Sequence, residues 1–85
     1  MINNNRFKLA VESKIGWLTK YYAQLLNIEH SDAYIYIIKS GVIDILKDKD
    51  SRLYLEDVAL LKDAIDIYYK HGSKQMKEFL YKNIG

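Results

Sequence analysis

The stretch Ala33-Tyr34-Ile35-Tyr36-Ile37-Ile38-Lys39-Ser40-Gly41-Val42-Ile43-Asp44-Ile45-Leu46 decides the fold class of this chain. Its first six residues, rich in Tyr and Ile, have the composition of a buried β-strand. Ser40-Gly41 would then turn that strand onto 42–46, with 52–55 as a third strand. The helical reading is stronger. Val42, Ile45 and Leu46 recur at i, i+3 and i+4, and Asp44 would interrupt an apolar strand. Ser31 and Asp32 supply a cap and an acidic first turn, and Gly41 suits the position just past a helix end. We therefore read two short helices, about 31–40 and 42–48.

Longer helical patterns flank this stretch. From Asn5 as N-cap, Phe7, Val11, Ile15, Leu18, Tyr22 and Leu25 fall on one narrow face, which predicts a helix over 6–27. Leu9, Glu12, Ser13, Lys20 and Asn27 lie outside that face. Residues 47–52 form a polar loop in which Asp50 or Ser51 can cap a helix over 53–71. There Tyr54, Val58, Leu61, Ile65 and Tyr68 make a stripe, which Leu60, Ala64 and Ile67 broaden to about half the circumference. So broad a stripe marks the central helix. Gly72 ends it, and Ser73 caps a last helix over 74–83 bearing Met76, Phe79 and Leu80. The expectation is an all-α single small domain over 1–85, of four to five helices, with 6–27 and 53–71 as its long packed pair. The expected core is Phe7, Val11, Ile15, Leu18, Tyr22, Leu25, Tyr34, Ile37, Ile38, Ile45, Leu46, Val58, Leu61, Ile65, Tyr68, Met76, Phe79 and Leu80.

Composition agrees with a small globular domain. The chain has 85 residues, 49% of them hydrophobic and 28% charged, with no proline and four glycines to interrupt helices. The absence of cysteine excludes disulfides, thiolate metal sites and a cysteine nucleophile. No secretory signal is visible at the N-terminus, and the longest apolar run, 33–38, is far short of the roughly 20 residues that span a bilayer. A cytoplasmic protein without a membrane partner is expected. Charge is uneven: net +2 over 1–43, −3 over 44–66 and +3 over 67–85. The acidic middle and basic tail are expected to neutralise one another internally.

Catalytic constellations are nearly absent. His30-Ser31-Asp32 holds triad residue types, but adjacent side chains diverge and cannot relay a proton, so a capping cluster is the reading. His71 suits a helix C-terminus. Two histidines so far apart give no metal-ligand spacing. Asp48-Lys49-Asp50 opens like a calcium loop, yet Leu53 stands where glycine is required and Ala59 where a bidentate glutamate belongs. The glycines are isolated, so no phosphate-cradling loop exists. Asp63 and Asp66 share a polar helical face that solvation explains. No enzyme activity, cofactor, metal or small-molecule substrate is expected.

Two surface features remain. Trp17 and Tyr21, four residues apart, lie beside the apolar face of the first helix, with Ala10 flanking them. They belong either to the core, if a second helix packs over them, or to an interface, where large rigid rings with a polar tip are favoured. The second feature is basic: Lys74, Lys77, Tyr81 and Lys82 on the last helix, with Lys70 just before Gly72, could track phosphates and stack a base. Glu78 sits among them.

The span from Ile28 to Asp44 resembles a small uncharacterised family of bacterial all-helical domains. The shared signature is an alanine or valine followed by tyrosine, then a Lys-x-Gly-hydrophobic-hydrophobic-Asp run, after an aromatic-rich first helix. Ala33, Tyr34, Lys39, Gly41, Ile43 and Asp44 carry it here, with Leu18, Tyr22 and Leu25 on the preceding helix. The likeness ends at Leu46, because the family's usual tail, with a tyrosine and a His-Thr pair, has no counterpart in 48–55. The family is mostly encoded in Firmicutes, often near ADP-ribosyltransferase-like proteins. The resemblance implies a helical fold and a toxin–antitoxin or accessory setting, and it assigns no catalytic residues.

Two function classes are left. The first is a protein-interaction module (an adaptor, inhibitor or antitoxin-like partner) that binds another protein, or itself as a homodimer, through Trp17 and Tyr21. The alternative is a nucleic-acid-binding module using Lys70, Lys74, Lys77, Tyr81 and Lys82. The first is preferred because eight tyrosines and a tryptophan exceed what so small a core easily buries, while the net charge is only +2. The acidic 44–66 segment would also repel a phosphate backbone, and no helix-turn-helix cue places basic side chains on a recognition helix.

Overall fold

The computed structural model describes residues 2–84, with side chains from Asn5 onward. It is all-α: among the described residues there are five α-helices, two single 3-10 turns and no strand. The helices are α1 (Ile2–Leu26), α2 (His30–Lys39), α3 (Val42–Lys47), α4 (Val58–His71) and α5 (Ser73–Asn83). The helical reading of the Tyr/Ile stretch therefore holds. Ile37 and Ala33 turn inward from α2, Gly41 takes the left-handed conformation (φ 82°), and Val42, Ile43 and Leu46 are fully buried on α3.

Helix starts differ from the sequence expectation for one recurring reason. An N-cap needs non-helical backbone, not only a short polar side chain. Asn5, Ser31 and Ser73, each read as a cap or cap-proximal residue, lie inside helices instead, α1 beginning at Ile2. Glu29 (φ −65°, ψ 152°) precedes α2, and Gly72 precedes α5. The helix expected over 53–71 begins at Val58. Arg52 in the left-handed region and Glu56 in extended backbone set off Leu53–Leu55 as a 3-10 turn, and the Asp57 side chain accepts from the Ala59 N–H. Ser51 caps that 3-10 turn by accepting from the Leu53 N–H at 3.1 Å. Asn27 (φ 55°) closes α1, with the Ile28 N–H reaching the Ala23 carbonyl at 3.0 Å, the geometry of a Schellman motif.

The buried side chains form one cluster. Its main pairings are α1 with α2 and α4 with α5, so α1 and α4 touch without being the principal pair. Leu18, Tyr22, Ile37, Leu46, Leu61, Ile65, Met76 and Leu80 are buried as expected. Phe7, Ile15, Ile38, Ile45, Val58, Tyr68 and Phe79 are only partly buried against that cluster, and two expected core residues are exposed. Leu25 is 59% exposed and Tyr34 44% exposed, because α2 lies toward the opposite flank of α1, the one carrying Ala23. Ala23, Ala33 and Ala64 are buried there in their place, with Val42, Ile43 and Leu53. The buried Ser40 hydroxyl donates to the Ile37 carbonyl at 2.6 Å and accepts from the Val42 N–H at 3.1 Å. Among the described residues no helix is long and apolar enough to cross a membrane.

Candidate protein-interaction surface

α1 and α4 together position the aromatic feature. Trp17 and Tyr21, one turn apart on α1, are stacked nearly parallel, centroids 5.2 Å apart and planes 8° apart. Trp17 is 46% exposed, so no second helix packs over it. Tyr21 is half-buried, and the Lys62 ammonium of α4 stands 5.8 Å above its ring. Beside the stack lies a shallow hollow of about 220 Å³ lined by Trp17, Lys20, Tyr21 and Gln24. It is sized for one side chain.

The stack is the outer end of a longer array that the sequence did not disclose. Tyr21 meets Tyr22 edge-on at 5.0 Å, Tyr22 meets Tyr36 of α2 at 5.0 Å, and Tyr36 stacks on Tyr69 of α4 at 4.0 Å. Tyr68 closes the series edge-on against Tyr69 at 4.9 Å. Polar bonds pin it. The Tyr69 hydroxyl donates to the Tyr36 carbonyl at 2.7 Å, and the buried Tyr22 hydroxyl donates to Asp66 Oδ1 at 2.7 Å. Asp66 Oδ2 accepts from Lys62 Nζ at 2.7 Å, and Lys62 also pairs with Asp63 at 3.3 Å. Burial pushes the Tyr22 phenol well above the usual tyrosine range, with the Asp66 hydrogen bond adding to it. Burial likewise raises Tyr36 and Tyr69, while the hydrogen bond to Asp66 raises Lys62. Trp17 is thus held by a rigid neighbour. Only the doublets Tyr21-Tyr22 and Tyr68-Tyr69 hinted at this array in the sequence.

The basic candidates are all exposed. Lys74, Lys77 and Tyr81 share one row of α5, with Tyr81 67% exposed, and Lys70 stands in the last turn of α4. Lys82 departs from that face: it lines a separate hollow with Ile67, His71, Gln75, Glu78 and Phe79. The ion pairs seen among the described residues, Lys62 with Asp63 and with Asp66, stay within α4. His30 and His71 stand exposed at the first residue of α2 and the last of α4. Among the described residues no group of three His, Cys, Asp or Glu side chains could hold a metal ion.

A second surface feature, also unforeseen, lies on the other flank of α1. It is an open trough of about 660 Å³ lined by Phe7, Lys8, Val11, Glu12, Ile15 and Gly16 of α1, Tyr34 of α2 and Lys47 of α3. Gly16, in the middle of a long helix, was its one sequence signal. No family model, curated protein or solved structure matches this chain.

Proposed function

We propose that this chain is a protein-interaction module that docks a partner protein through the Trp17–Tyr21 face, the partner inserting an apolar side chain into the adjacent hollow. The observation that carries the reading is the Trp17–Tyr21 stack itself, at 5.2 Å, with the indole left nearly half exposed. Two features make such a pair a good anchor. Large aromatic area left in water is recovered on docking, and rings already held in place lose little rotamer freedom when a partner arrives. Tryptophan and tyrosine are also the residue types in which interface energy concentrates. An inhibitor, adaptor or antitoxin-like role, which the resemblance read in the sequence over 28–44 implies, belongs to this proposal, and no catalytic step is proposed.

The test is to purify the protein from its native host, measure its mass in solution and identify what accompanies it. A protein partner, or a homodimer, that is lost on Trp17→Ala or Tyr21→Ala while the helical circular dichroism persists is the expected result. Salt-sensitive recovery of DNA or RNA, weakened by replacing Lys74, Lys77 and Lys82 with Ala but untouched by Trp17→Ala, would overturn it.

A further inference from the structure

The trough on the far flank of α1 has the architecture of a helix seat. Phe7, Val11 and Ile15 form one i, i+4 ridge, and Lys8, Glu12 and Gly16 form the next. The furrow between two such ridges accepts a ridge from a second helix, the commonest mode of helix packing. From Lys8 to Gly16 it runs about 12 Å at ~1.5 Å per residue, room for roughly two turns of a crossing helix. Tyr34 of α2 also lines it. A Cβ added at Gly16 would meet nothing within 4 Å, so this glycine fills no packing need of the chain itself. It leaves a notch in the furrow at the expense of helix propensity.

Charge distinguishes the two ends. Phe7 also borders a neighbouring hollow of about 290 Å³, lined with Arg6, Lys49, Tyr54 and Leu55. Arg6 and Lys49 therefore join Lys8 around the Phe7 end, with Lys49 Nζ 6.0 Å from the Phe7 centroid, and Lys47 adds a fourth cation to the trough lining. None of the four is in an ion pair among the described residues. Glu12 stands midway along the furrow. Asp48 and Asp50 line neither cavity, and the Asp48 carboxylate accepts from the Asp50 N–H at 3.0 Å.

We infer that the trough seats an amphipathic helix of another protein, with an apolar i, i+4 row in the furrow and acidic side chains at the end near Phe7. An apolar floor calls for the row, and four cations with no ion pair among the described residues call for the acids. A second copy of this chain does not offer that helix. None of its helices is net acidic, and α4, whose Asp63 and Asp66 are balanced by Lys62 and Lys70, commits Leu61 and Ile65 to the core. This site is independent of the Trp17 face: Trp17 and Lys8 are nine residues apart, half a turn around α1.

The probe is a synthetic amphipathic helix with leucines along one i, i+4 row and glutamates in its first turn, titrated against the full chain by fluorescence anisotropy. A twin peptide with lysines replacing the glutamates is the control. Saturable binding of the acidic peptide is expected, weakened about tenfold or more by Gly16→Leu and by the pair Lys8→Glu, Lys47→Glu. Gly16→Leu should melt no lower than the wild type, so the loss reads as blockage, and Trp17→Ala should bind the peptide normally. The inference is overturned if the acidic peptide does not bind or the lysine peptide binds equally well. Unchanged binding by Gly16→Leu would also overturn it, as would a concentration-dependent doubling of mass abolished by that substitution, which would assign the trough to a second copy.

Discussion

The Tyr22 hydroxyl on α1 donates a hydrogen bond to Asp66 Oδ1 on α4 at 2.7 Å, joining the two halves of the molecule through a buried side chain. The Lys62 carbonyl lies 3.1 Å from the same hydroxyl, so a second acceptor is at hand. That asymmetry makes a prediction. Tyr22→Phe removes the donor altogether and should cost about 1–2 kcal/mol in urea unfolding. Asp66→Ala lets the hydroxyl turn to the carbonyl and should cost less, about 1 kcal/mol. The double variant should cost less than the two together, since they share one bond.

The same network sets the alkaline limit of stability. Tyr22, Tyr36 and Tyr69 are raised by burial, and Lys62 by its hydrogen bond to Asp66, so all four hold their protons more tightly in the folded chain. Above pH about 10 the unfolded chain releases these protons and the folded chain retains them. The folded state then binds more protons, and stability falls with rising pH. The contribution is fully present below pH about 10 and is lost above it. Urea midpoints should be flat from neutral pH to the onset of tyrosine titration and then drop. Tyr22→Phe, lacking the most strongly raised phenol, should drop less, and an equal drop would remove Tyr22 from the explanation.

Leu61 and Ile65 are both fully buried at the centre of α4. Either one changed to Ala removes apolar contacts and leaves a void that neighbours only partly fill, at about 2–5 kcal/mol. In a domain holding about 5–10 kcal/mol in all, that is a large share. Denaturant unfolding at constant slope would show it as a lowered midpoint, and a neutral result at both positions would contradict the packing described here.

Helical class was legible because Phe7, Val11, Leu18 and Tyr22 repeat at one period and because Val42, Ile45 and Leu46 do so after Gly41. Helix ends were less so: Asn5, Ser31 and Ser73 have capping side chains but lie inside helices, and the non-helical residues before α2 and α5 are Glu29 and Gly72. Leu25 carries the right spacing but no neighbour reaches it, and Ala23, on the other flank, is buried instead. The sites depend on tertiary structure still more. Whether Trp17 is covered depends on where α4 lies, and the trough draws on α1, α2 and α3 at once. Tyr22 and Asp66 are 44 residues apart, and no local pattern joins them.

Two glycines should respond to the same substitution with opposite signs. Gly16 sits in helical backbone with open space at its Cβ position, so Gly16→Ala gains helix propensity and clashes with nothing. It should stabilise the fold by about 0.5–1 kcal/mol, raising the melting temperature by several degrees in a domain of this size. Gly72, between α4 and α5, also has open space, but its backbone lies at φ 96° and ψ 177°, a region essentially restricted to glycine. Gly72→Ala should therefore cost about 1–3 kcal/mol through the backbone alone. Thermal melts followed by circular dichroism would separate the two. A destabilised Gly16→Ala would mean that this glycine is needed for folding, and the notch it leaves in the α1 furrow could then no longer be attributed to a partner.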